Sequence, residues 1–97
     1  MDRNREDFVV MSELLSRLAY TYGYELKKNR DMCVSMRVEY NGHEMMFSYV
    51  YGNWRLFIID EWNPMDTFCT GNVRSLPDRI RDRIEDWKIR VDRSSEK

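Results

Sequence analysis

Residues 32–59 read MCVSMRVEYNGHEMMFSYVYGNWRLFII, and the alternation on either side of Asn41-Gly42 decides the fold. Before the dipeptide, Met32, Val34, Met36, Val38 and Tyr40 share one side of an extended chain, with Cys33, Ser35, Arg37 and Glu39 on the other. Asn-Gly is a strong hairpin signal because a type I′ turn needs positive φ at both central residues. Setting Tyr40 opposite His43 places Val38, Met36, Val34 and Met32 against Met45, Phe47, Tyr49 and Tyr51. A slip of one residue would destroy all four apolar matches, so the register supports itself. Gly52-Asn53 predicts a second two-residue turn, which pairs Tyr51 with Trp54, Tyr49 with Leu56 and Phe47 with Ile58. Three strands therefore form a meander.

The flanking segments predict the rest of the architecture. Met11, Leu14, Leu15, Leu18 and Tyr22 follow helical spacing, which predicts a helix over about 5–21, with Asn4 as N-cap and Gly23 as its stop. YELKK, residues 24–28, reads as a further strand, followed by a turn at NRD. Ser75 as N-cap, Pro77 in the first turn and Asp78 at the capping-box position open a second helix. Its stripe is Leu76, Ile80, Ile84, Trp87 and Val91, and residues 93–97 read as a frayed tail. TFCT, residues 67–70, fits either an edge strand or a loop. The expectation is one α+β domain over 1–97: an antiparallel meander of three to five strands, with an N-terminal and a C-terminal helix packed on one face.

Composition excludes more than it assigns. The 97 residues suit one core, and 16 basic against 17 acidic side chains leave a net charge of −1, so no global field draws the chain to nucleic acid or membrane. The two cysteines, Cys33 and Cys69, have no metal-ligand spacing around them and read as reduced structural thiols. No signal peptide or transmembrane run is seen, and cytoplasmic residence is the expectation. His43 is the sole histidine and lacks a nucleophile at a motif position, and no phosphate-binding, dinucleotide or zinc-protease pattern occurs. No enzyme activity, cofactor or metal is expected.

The same register arranges the second sheet face in rows: Cys33, Val50 and Arg55; Ser35, Ser48 and Phe57; Arg37, Met46 and Ile59; Glu39, Glu44 and Glu61. Met46, Val50, Phe57 and Ile59 become neighbours on the face away from the helices. Either the segment 62–74 folds back over them through Trp62 or Phe68, or a partner does. The carboxylate row is unfavourable as it stands and invites a cation or an arginine-rich partner, although no ligand spacing supports a metal. Met46, Val50, Phe57, Ile59, Arg55, Glu39, Glu44 and Glu61 are accordingly the candidate protein-binding residues, for an interaction, inhibitor or complex-subunit role that includes a homodimer.

The alternative is a nucleic-acid-binding domain using Arg74, Arg79, Arg83 and Arg90 around the second helix. Acids interleave with these arginines, and Arg81 with Glu85 and Asp86 with Arg90 sit at ion-pair spacing. The helix, three strands, helix order is similar to that of double-stranded RNA-binding domains. Their second helix opens with a lysine cluster on the phosphates, whereas this chain has SLPDRIRD at 75–82, so that family's phosphate contact is missing.

Overall fold

A computed structural model describes residues 3–29 and 32–95. Helix α1 (Arg3–Tyr22) leads into strands β1 (Glu25–Asn29), β2 (Cys33–Tyr40), β3 (His43–Val50), β4 (Arg55–Ile59) and β5 (Asp66–Cys69), and helix α2 (Leu76–Ser95) follows. The five strands form one antiparallel sheet in sequence order. Each strand lies beside its chain neighbour because every connection between them is short.

Asn41 and Gly42 take φ of 51° and 80°, as a type I′ turn requires. The expected β2–β3 register follows, with Tyr40 opposite His43, Met36 opposite Phe47 and Val34 opposite Tyr49. Phe47 opposite Ile58 also agrees, but the β3–β4 connection does not. The Val50 carbonyl accepts both the Asn53 backbone N–H and the Asn53 side-chain amide. Gly52, at φ 86°, completes this earlier turn, so residues 51–54 form a four-residue connection in place of a two-residue turn. The β3–β4 ladder consequently runs only from Met46–Ile59 to Ser48–Phe57, leaving Tyr49–Leu56 and Tyr51–Trp54 outside it.

Other boundaries move for local reasons. Asn4 lies inside α1, so it is not the N-cap there. The Tyr24 N–H reaches back to the Ala19 carbonyl across Gly23, which closes the helix as expected. Strand β1 starts one residue later than read, and Met32 precedes β2 with φ 57°, outside extended geometry. Arg30 and Asp31, in the NRD turn, lie outside the described residues. TFCT is largely strand, since β5 pairs Leu56 with Phe68 and Phe57 with Thr67. Ser75 occupies the expected position before α2, but its hydroxyl donates to the Asn72 carbonyl. Helix α2 continues through Ser95, so 93–95 are helical, while 96–97 of the expected tail lie outside the described residues.

The core lies on one side of the sheet. Val34, Met36, Val38, Met45, Phe47, Tyr49, Leu56 and Ile58 are buried with Phe8, Met11, Leu15 and Ala19 of α1 and Leu76, Ile80, Ile84, Trp87 and Val91 of α2. Phe8 packs its ring 6.3 Å from Tyr49, and Trp87 packs 6.3 Å from Tyr40. Both tyrosines belong to the same alternation, so contacts from both helices land on the same sheet face. Among the described residues, no helix is long and apolar enough to cross a membrane.

Candidate functional site

The segment between β4 and β5 decides whether the second face is covered, and a single carboxylate organises it. Asp60 Oδ1 accepts the backbone N–H groups of Trp62 and Asn63, each at 2.8 Å, while the Asp60 N–H donates to the Asn63 carbonyl. Residues 60–63 thus curl around one side chain. Asp60 Oδ2 meets Arg83 of α2 at 2.7 Å, and Arg83 Nε lies 3.6 Å from Asp66. The Asp60 side chain is 1% exposed. Burial pushes its carboxyl up, but the Arg83 guanidinium and the Asn63 and Trp62 N–H groups outweigh that and hold it below the ordinary carboxylate range.

This fold-back sends the large aromatics toward the helices. Trp62 stacks on His43, rings 5.9 Å apart, with the Arg90 guanidinium 5.0 Å from its ring. Phe68 pairs with buried Leu56 and receives Arg79 at 4.4 Å. Both candidate covers therefore lie on the α2 side, and the second face stays open.

On that open face the apolar residues are neighbours, as the register predicts. Met46 pairs with Ile59, and Ser48 with Phe57. Met46 and Phe57 are half-buried, while Val50 is 36% and Ile59 40% exposed. Strand β1 extends the grid with Glu25, Lys27 and Asn29, opposite Arg37, Ser35 and Cys33, and β5 adds Thr67 and Cys69 beside Phe57 and Arg55. Polar side chains satisfy one another around the apolar centre: Ser35 bonds Ser48 at 2.9 Å, and Arg55 Nη1 donates to Thr67 at 2.8 Å. The Arg55 guanidinium also sits 4.0 Å from the exposed Trp54 ring.

The carboxylate row is not as expected. Glu39 and Glu44 do face each other, but Arg37 reaches across both and also contacts Glu25 at 3.1 Å. The chain's own guanidinium therefore relieves the repulsion that would otherwise invite a cation or a partner. Glu61 leaves the row, because the curl at Asp60 turns it to His43 Nδ1, with which it hydrogen-bonds. No group of three or more His, Cys, Asp or Glu residues suited to a metal ion occurs among the described residues.

The alternative set on α2 is largely committed within the chain. Arg83 is held by Asp60 and Asp66, while Arg79 and Arg90 lie over Phe68 and Trp62. Arg74 is exposed in the turn before α2. Arg81 pairs with Asp78, one turn back, and not with Glu85. Sequence reading missed the Asp60–Arg83 pair and the Arg37 cluster. The first joins groups 23 residues apart and had no local signal, whereas the second was implicit in the register, since Arg37 sits diagonally across from Glu44. Comparison with protein-family models, with curated proteins and with solved structures finds no match to this chain.

Proposed function

We propose that the chain is a non-enzymatic protein-binding module that uses the open sheet face around Met46, Val50, Phe57 and Ile59. The observation that supports this reading is the direction of Trp62 and Phe68. Both aromatics able to cover the face pack toward α2 instead, leaving an apolar centre in a polar frame. An apolar centre supplies the burial that drives association, and a charged rim sets orientation. The engagement of Arg79, Arg83 and Arg90 with aromatic rings or carboxylates of their own chain favours this reading over a phosphate-binding helix.

The test is affinity capture from the native host with wild-type and Phe57→Asp baits, each first shown to be folded by circular dichroism. Wild type is expected to retain a partner that Phe57→Asp loses. A partner held equally by both baits, or a Phe57→Asp chain that unfolds, overturns the reading.

A further inference from the structure

We propose that the occupant of this face is a second copy of the chain, packed sheet on sheet with its strands reversed; the inference rests on the protein-binding reading of the same face. The argument is one of charge and shape. At one end of the face three carboxylates, Glu25, Glu39 and Glu44, surround the single guanidinium of Arg37, leaving two negative charges over. At the other end Arg55 contacts a hydroxyl and an indole ring, and no ion pair reaches it among the described residues. The face is thus negative at one end and positive at the other, which is the pattern that complements its own reverse.

A two-fold axis between two such sheets can run along the strands or across them. Along the strands, the Glu39–Glu44 end of one copy meets the same end of the other, and like charges oppose. Across the strands, each strand lies over its own counterpart with the ends exchanged. With the axis over the row Leu26, Met36, Phe47 and Ile58, which crosses the middle of β2 and β3, Phe57 of one copy lies over Ile59 of the other and Glu25 over Lys27, because these pairs flank that row. Arg55 is carried toward the Glu44 end. Each of these contacts occurs twice.

The size suits a modest dimer. Eight-residue strands β2 and β3 span about 26 Å, and the five strands span about 19 Å across. That is a flat footprint of about 500 Å², which side-chain relief raises toward the ~800 Å² per subunit of a stable complex.

Sedimentation equilibrium of the full chain tests this. Wild type is expected to dimerise in the micromolar range, and Arg55→Glu and Glu44→Lys are each expected to weaken the dimer by about ten-fold or more. The double variant, with both ends reversed, is expected to regain most of the loss. Lys27→Glu, at an exposed position, is the second single variant and is expected to weaken association in the same direction without disturbing the Arg37 cluster. A dimer indifferent to both Arg55→Glu and Lys27→Glu overturns the reversed arrangement. A folded wild type that remains monomeric at millimolar concentration overturns the second copy, while a capture partner lost on Phe57→Asp would still uphold a binding role for the face.

Discussion

The two faces of this sheet are built from the same strands, and residue type alone does not separate them. One carries Met36, Phe47, Leu56 and Ile58, all fully buried; the other carries Met46, Phe57, Val50 and Ile59, half-buried or exposed. The difference lies in the polar residues between them and in what the helices supply. On the buried face the alternation is unbroken and meets two apolar helix stripes. On the open face Ser35, Ser48, Arg37 and Arg55 interrupt it and find partners within the sheet: the two serines each other, Arg37 the carboxylates of Glu25, Glu39 and Glu44, and Arg55 the Thr67 hydroxyl. A face can therefore hold large side chains and remain outside the core, provided its polar groups already have partners.

Substitutions can break or sharpen that contrast. The largest effect is expected from Phe47→Ala, at about 3–5 kcal/mol, with Leu56→Ala at about 2–5 kcal/mol, because each empties space between the sheet and the helices. Urea titration reads this, and wild-type midpoints would mean that the faces are assigned the wrong way round.

Asp60→Asn is expected to cost about 1–3 kcal/mol, since Arg83 then faces a neutral amide and keeps as its carboxylate partner only the half-exposed Asp66. The pH dependence has a definite sign. The folded carboxyl lies below its unfolded value, so its contribution is fully present above the unfolded value of about 3.9 and is lost as pH falls through the folded value beneath it. Thermal melts of the variant across the acid range should therefore be flatter than those of wild type. An equally steep acid limb would show that other carboxylates control it.

Phe57→Asp marks the contrast most directly. Its side chain is half-buried on the open face, and a loss of no more than about 1 kcal/mol is expected, against the several at Phe47. Unfolding by this substitution in a monomeric chain would erase the distinction between the faces.

The smallest effect is expected at Ser12, buried in α1, whose hydroxyl has no hydrogen-bond partner among the described residues. Ser12→Ala removes an unmet polar group and should leave stability unchanged or raise it by up to about 1 kcal/mol. A clear loss in the same titration would reveal a hydroxyl contact within the helix layer.

What was legible in the sequence follows the range over which the deciding interaction acts. Asn41-Gly42 and the alternation of residues 32–51 specify a hairpin locally, and the β2–β3 register follows from it. The helix stripes were similarly legible, because their spacing is a property of the helix itself. The course of residues 60–69 was not, because it depends on Arg83 arriving from α2 to hold Asp60, and nothing near Asp60 announces that. For the same reason the sequence left open whether Trp62 would cover the second face. The β3–β4 turn falls between these cases: Gly52 marks a turn locally, but the Val50 carbonyl captures Asn53 and moves the turn one residue earlier.

The strand order leaves β1 and β5 at the borders of the sheet. Unpaired N–H and C=O groups at a border are an invitation to add strand after strand, and growth by that route has no end point. Here one border is a five-residue strand carrying Lys27 and Lys28, and the other is only four residues long and begins with Asp66. Short, charged borders resist further strands, so the sheet is poorly suited to fibril-like extension. Association through its broad side, by contrast, is complete once a single neighbour has docked.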